Sequence, residues 1–291
     1  MKLRPQLVVD IPLREVSGIC FDRSRGGKGS LLAVGDRLAV AARLDLSRVD
    51  GDQLEWQLTP IERLHGSQLP KKDPQVEAIA VDGAGRVLLL QESPPRAELV
   101  DLEAASVVAS FTLDVPGDDA VADSWSHPEG SRGEGVILLQ SGHLLVAKEK
   151  KPAALIEFGP KGARSHGVPA RLAATRKAWP ISPGHHHYVA LAVWQPDASL
   201  RKICKDFSDL EIGPDGRLYA LSDKSHTIAR LGGLARGGGA VTVEASWAIR
   251  GLKGKPEGLS FTREGEPVVA LDTKKARRNL AVLAPAIALR A

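Results

Sequence analysis

Five small acidic or hydroxyl residues, Ser17, Glu77, Glu134, Ser208 and Glu257, each stand before an aliphatic stretch. Each is answered downstream by a second acid: Asp36, Glu92, Glu149, Asp223 and Asp272, at an interval of 15 residues in four copies and 19 in the first. Brought to one point, the first set would gather three carboxylates and two hydroxyls. Carboxylates sharing a partly desolvated site repel one another, which raises their pKa or calls for a cation. Oxygen donors without His or Cys suit calcium, which accepts roughly six to eight oxygens in flexible geometry, ahead of magnesium, which needs a tight octahedron. The plainer reading is that these residues cap strands or bond neighbouring backbone amides.

Four of the second set are followed within two residues by a base: Arg37, Lys150, Lys224 and Lys274. Arg96 lies after Glu92, and Lys148, Lys151, Lys275, Arg277 and Arg278 would thicken a basic rim. Alternating charge of this kind suits a phosphorylated substrate, with bases clamping phosphate oxygens and a carboxylate orienting the attacking water. Asp36, Glu149, Asp223 and Asp272 are then the candidate catalytic acids. Arg37, Glu92, Lys150, Lys224 and Lys274 are the candidate substrate-binding residues. Charge pairs between neighbouring elements, worth little when exposed, are the alternative.

The elements that must position these residues follow from the repeat itself. Each copy reads as polar residue, apolar run, Gly/Asp turn, second apolar run, acid. Two short apolar runs joined by Asp-Gly or Gly-Pro-Asp-Gly form hairpins, because glycine supplies the positive φ of a tight turn. Further runs near Leu38–Leu46, Ala97–Leu102, Ala153–Phe158, Thr227–Leu231 and Leu280–Leu283 read as third strands. Gln53–Leu58, Ser106–Leu113 and Val241–Trp247 read as fourth strands. Four antiparallel strands repeated radially make a propeller blade. The expectation is an all-β, five-bladed β-propeller, a single domain over residues 1–291. The last copy is too short for four strands, so the segment of residues 6–13 is expected to join it and close the ring, removing an exposed edge.

Composition fits this fold. Of 291 residues, 43% are apolar, which is ample for a core, and 29 Gly and 19 Pro serve frequent turns. No apolar stretch approaches the ~20 residues of a membrane span, and the start MKLRPQLVVD lacks the apolar core of a secretory signal. A soluble, cytoplasmic monomer without a membrane partner is expected. Cys20 and Cys204 are too few for a disulfide framework. A net charge of +4 and few aromatics argue against nucleic acid.

Two segments break the regularity. The spacing of ring residues is 60, 57, 74 and 49, and the excess falls around residues 159–196, an insertion that holds His166, His185, His186, His187 and Trp194. These histidines could serve as acid/base groups or ligate a transition metal; a longer third blade with an outer strand from His187 to Trp194 is the alternative. Asp114–Arg132, with Trp125, His127 and Glu129, reads as a loop near the axis opening, where Trp125 and His127 could touch a ligand.

The order Ser, Glu, Glu, Ser, Glu within EVSGI, VEAIA, GEGVI, DFSDLEI and KPEGLSF resembles the calcium-activated nucleotidases, or apyrases. That resemblance implies five blades with calcium on the axis, held by Ser17, Glu77, Glu134, Ser208 and Glu257, and hydrolysis of a phosphoanhydride or phosphoester. EVSGICFD, VEAIAVDGAGRVLLLQE and PEGLSF also resemble bacterial propellers of the SdiA-regulated and phytase-esterase-like groups. The competing functional class is a non-catalytic propeller with a structural axial ion, whose rim binds a small anion, a glycan or a protein.

Overall fold

The computed structural model describes residues 2–24, 28–48, 54–127, 131–172 and 177–288. Strands follow one another as antiparallel neighbours in runs of four. The first run is β2 (Val16–Asp22), β3 (Ser30–Gly35), β4 (Val40–Asp45) and β5 (Trp56–Pro60). The second is β6 (Val76–Val81), β7 (Val87–Gln91), β8 (Arg96–Asp101) and β9 (Ser106–Asp114). The third is β10 (Gly133–Leu138), β11 (Leu144–Lys148), β12 (Ala154–Pro160) and β13 (Gly184–Pro196). The fourth is β14 (Asp209–Ile212), β15 (Leu218–Ser222), β16 (Thr227–Leu231) and β18 (Val243–Ile249), while β17 (Gly239–Val241) pairs with β13. The last is β19 (Lys255–Phe261), β20 (Pro267–Asp272), β21 (Leu280–Ala284) and β1 (Lys2–Val9). Parallel pairing of outermost strands, β9 with β13 and β1 with β18, merges four of these runs into a nine-stranded and an eight-stranded sheet.

The first strands of the runs pack against one another in a closed ring: β2 on β6, β6 on β10, β10 on β14, β14 on β19, and β19 back on β2. This is a β-propeller. Both faces of each run are buried, so the strands read as continuous apolar stretches. On β7, Leu88 and Leu90 face the third run while Val87 and Leu89 face the first. On β11, Leu144 and Val146 face the second run while Leu145 and Ala147 face the fourth. Alternation within a strand therefore fills two cores at once.

The closing strand spans Lys2–Val9 rather than residues 6–13. It pairs antiparallel with β21 as far as Val9 opposite Leu280, with a register shift at Pro5, which has no N–H to donate. Beyond it the chain leaves the sheet, and the side chain of Asn279 holds it. Asn279 Oδ1 accepts from the Ile11 N–H (2.7 Å), and Nδ2 donates to the carbonyls of Ile11 (3.1 Å) and Leu13 (2.8 Å).

Asp114–Arg132 is not one continuous loop, and of its described residues only Ser131 and Arg132, at its end, line the axial cavity. The segment contains helix α1 (Ala120–Ser126), capped by Asp119, and Trp125 is buried among Phe158 and its neighbours with Nε1 donating to the Leu113 carbonyl (3.1 Å). An indole that can fill a core and satisfy its N–H does so rather than wait at a mouth. Glu129 lies outside the described residues, as does Gln53. Within residues 159–196 the outer strand β13 starts at Gly184 and carries all three consecutive histidines. A second short helix, α2 (Ala198–Ile203), follows it. No helix among the described residues is long and apolar enough to cross a membrane.

Candidate functional site at the propeller axis

In four of the five runs the innermost ladder slips by one residue, between Val16 and Gly18, Val76 and Ala78, Gly133 and Gly135, and Pro256 and Gly258. The extra residues are Ser17, Glu77, Glu134 and Glu257. In the fourth run the Ser208 N–H donates to the Leu221 carbonyl (2.9 Å) while Asp209 is the residue opposite Leu221, so two residues again face one. A bulge re-aims its side chain out of the ladder, and here five bulges do so at equivalent places.

Glycine follows the bulge in three runs because the ring is tight. A Cβ on Gly135 would lie 2.5 Å from the Leu210 nitrogen, and one on Gly18 3.0 Å from the Ala78 Cα. Both obstacles are backbone and cannot swing aside. Gly135→Ala should therefore destabilise the fold by about 2 kcal/mol, read as a lower urea midpoint at unchanged slope; an unchanged midpoint would mean that the inner strands can spread.

The axial cavity has a volume of about 640 Å³. It is lined by the acids Glu15, Asp36, Glu77, Glu92, Glu134, Glu149, Glu257 and Asp272, and by the bases Arg37, Arg132, Lys150, Lys151, Lys255 and Lys274. The three ring glutamates thus share one cavity. Burial, with the Glu92 and Asp36 carboxylates adding repulsion, pushes Glu77 well above the usual carboxylate range. Burial and Glu77 do the same to Glu134. Burial and Asp272 push Glu257 up to about 8, with Lys255 opposing. Asp36 rises to about 6, again through burial first, and its Oδ1 is buried with no hydrogen-bond partner.

Ser17 and Ser208 do not line the cavity. Ser17 Oγ donates to the Val76 carbonyl (2.5 Å) and Ser208 Oγ to the Pro256 carbonyl (2.9 Å), in each case the residue before the next glutamate of the ring. They fasten one inner strand to the next, leaving hydroxyl lone pairs as their remaining donors. Among the described residues, no three His, Cys, Asp or Glu side chains stand close enough together to hold a metal ion without rearrangement.

Backbone hydrogen bonds fix the second set of acids. Asp36 N–H donates to Glu15 O (3.2 Å), Gln75 N–H to Asp36 O (3.0 Å), Glu92 N–H to Gln75 O (2.9 Å) and Glu149 N–H to Arg132 O (3.0 Å). The Arg132 N–H donates to Glu92 Oε1 (3.1 Å), and Ser131 Oγ to Glu149 Oε2 (2.9 Å). Asp223 stands apart from the cavity lining, and burial together with Asp206 raises its pKa. Lys224 turns the same way, with its ammonium 3.8 Å from Asp206 Oδ2.

The bases divide. Arg37 bonds to Glu15 and lies 2.9 Å from Asp73 Oδ1; Lys150 bonds to Glu149; Lys274 is exposed at the mouth. Lys148 is not part of the rim: it is fully buried beneath it, its ammonium donating to the carbonyls of Lys150 and Pro152 (the latter 3.1 Å), and burial lowers its pKa to about 8. Arg96 reaches Gln91 and Gln68 instead.

Sequence reading missed a further ring. The position two residues before each bulge is Glu15, Gln75, Arg132, Asp206 or Lys255; four of these five line the cavity. Lys255 matters most, 3.8 Å from Glu257 Oε1 and 3.3 Å from Asp272 Oδ2. The regular offset was the available signal, obscured because the residue types vary. Two acids deeper on β14 were also missed. Asp209 accepts from the Leu259 N–H (2.6 Å) and Leu210 N–H (2.7 Å), and Glu211 from Ser260 Oγ (2.9 Å); burial raises Glu211 to about 7.

Comparison with known proteins agrees on architecture. No protein-family model matches the chain, and no curated protein matches it in sequence. Among solved structures, glutaminyl cyclase of Myxococcus xanthus aligns with a TM-score of 0.52 at 11% identity, over 98% of this chain and 94% of that one. Virginiamycin B lyase of Staphylococcus aureus aligns at 0.49 and 12% identity, over 98% and 99%. The WD40 β-propeller domain of Doa1 aligns at 0.45 and 9%, over 97% and 97%. At such identities the likeness concerns the fold alone; it is the closed ring of four-stranded runs that makes the chain an all-β protein of β-propeller architecture.

Proposed function

We propose that this is a five-bladed propeller that holds a cation, calcium before magnesium, near the bottom of its axial cavity and acts on a phosphorylated ligand at the mouth. The observation that carries this reading is convergence: Glu77, Glu134 and Glu257 meet at the buried floor of one cavity, with Lys255 beside Glu257, and Arg37, Lys150, Lys151 and Lys274 line the same cavity among further acids. Raised proton affinities on the floor, and the orphaned Asp36 oxygen, are what a cation would relieve. Glu77, Glu134 and Glu257 would hold it; Ser17 and Ser208, outside the cavity lining and bonded to the Val76 and Pro256 carbonyls, are weaker candidates, through their hydroxyl lone pairs. Once bound, the cation would polarise a phosphoryl oxygen. Asp36, Glu149 and Asp272 are then placed to orient a water, and Arg37, Glu92, Lys150 and Lys274 to position the ligand. Asp223 and Lys224 are weaker candidates for these roles, being outside the cavity lining. The proposal includes a monomer in the cytoplasm, a compartment that two buried, unbridged thiols suit.

A second reading has its own support: no three acids among the described residues are close-set as they stand, which favours a binding propeller whose floor carboxylates hold protons. Thermal melts with calcium and with chelator separate the two. A cation present at about 100 times its Kd adds about 2.7 kcal/mol, and Glu134→Gln should abolish that gain. Phosphate release from a panel of nucleotides and phosphoesters, lost in Asp272→Asn at unchanged stability, supports catalysis. Calcium stabilisation without turnover leaves a binding protein; no calcium response at all removes the cation.

A further inference from the structure

The run His185-His186-His187 is split by strand alternation, which sends successive side chains to opposite faces. His186 turns inward, its ring stacked on Phe111 with centroids 5.2 Å apart, and its Nε2 2.8 Å from the Ser182 carbonyl oxygen. His185 and His187 are exposed on the other face, their Cα atoms about 6.6 Å apart at the usual strand rise. Parallel register sets them beside Ser110 and Thr112 of β9. Ser110 Oγ lies 3.0 Å from His185 Nδ1, and Asp114 Oδ2 lies 3.9 Å from His187 Nε2.

We propose that His185 and His187, with Asp114, form a surface chelate for a borderline divalent transition ion, of which zinc is the probe. Neutral imidazole nitrogen is a preferred donor for such ions, with a bond of about 2.0 Å. Ser110 engages Nδ1 of His185 and so leaves Nε2 to ligate, the role that outer partners commonly play in fixing tautomer and ring orientation. His187 Nε2 already faces a carboxylate. The three side chains are exposed and must rotate inward to meet one ion, which sets a moderate affinity and leaves further positions to water. None of them lines the axial cavity, so the proposal stands apart from the function argued above.

Calorimetric titration of the whole chain with zinc, in calcium-free buffer at neutral pH, tests it. The wild type should take up zinc at this site; His185→Gln and His187→Gln should each weaken binding at least about tenfold, and Ser110→Ala should weaken it by a smaller factor. All three positions lie on an open strand face, and thermal melts will verify that the variants are folded. Failure of the wild type to bind zinc overturns the proposal, as does an unchanged isotherm in the His185→Gln/His187→Gln double variant. Loss of zinc binding in Glu134→Gln would move the ion to the axis and overturn it as well.

Discussion

Glu257→Gln should stabilise the protein at pH 8 in the presence of chelator, by roughly 3 kcal/mol, and should have almost no effect at pH 4. Burial and the Asp272 carboxylate raise the folded pKa of Glu257 from 4.5 to about 8. In the unfolded chain the proton leaves near pH 4.5, whereas the folded protein retains it, so stability declines as pH rises between those values. A tenfold difference in proton affinity between the two states corresponds to about 1.4 kcal/mol. The expected effect is smaller than that rate would give over the whole interval, because the side chain is 24% exposed. Glu77 and Glu134 are raised in the same direction and should add to the loss of wild-type stability as pH rises above the ordinary carboxylate range. Glu157 behaves oppositely. Its bonds from His143, Ser165 and the His166 and Gly167 amides hold it near 2 against burial, so its contribution is complete above pH 4.5 and fades only in stronger acid. Denaturant midpoints at about pH 5, 6.5 and 8 decide the matter. A wild type that gains stability through this range, or a variant weaker than it at the alkaline end, would refute the account of the floor. Saturating calcium should reverse the ranking, because a bound cation favours the ionised glutamate.

Asn279→Asp should cost about 4 kcal/mol although it changes a single heavy atom. The amide Nδ2 serves the carbonyls of Ile11 and Leu13, and Asn279 is fully buried. A carboxylate there faces two carbonyl oxygens with no proton to offer, and leaves both acceptors unpaired in a buried site. These bonds join the N-terminal segment to the last run, so the loss falls on ring closure. The expected reading is a large drop in melting temperature with earlier exposure of residues 2–13 to proteolysis. A variant that melts with the wild type would show that β1 alone suffices to close the ring.

Much of this architecture was legible from the repeat. The Asp-Gly turns and paired apolar runs identify the hairpins, and β16 and β21 lie where Thr227–Leu231 and Leu280–Leu283 place them. The floor glutamates were legible for the same reason, since equivalent positions of a radial repeat converge. Aromatic-rich irregular segments were harder. Trp125 stands in a polar stretch and reads as a ligand contact, yet Phe158 and the Leu113 carbonyl draw it into the core.

By itself the sequence determined a repeated hairpin, an N-terminal strand without a local partner, and acids at equivalent offsets, because these depend on turn chemistry and on a period of two along a strand. Tertiary structure alone decided that bulges aim those acids at the axis, that Ser17 and Ser208 donate to neighbouring strands, that Lys148 is buried and Lys255 sits among the acids. Such outcomes depend on which backbone carbonyls and charges approach from other runs, distances that no single strand encodes.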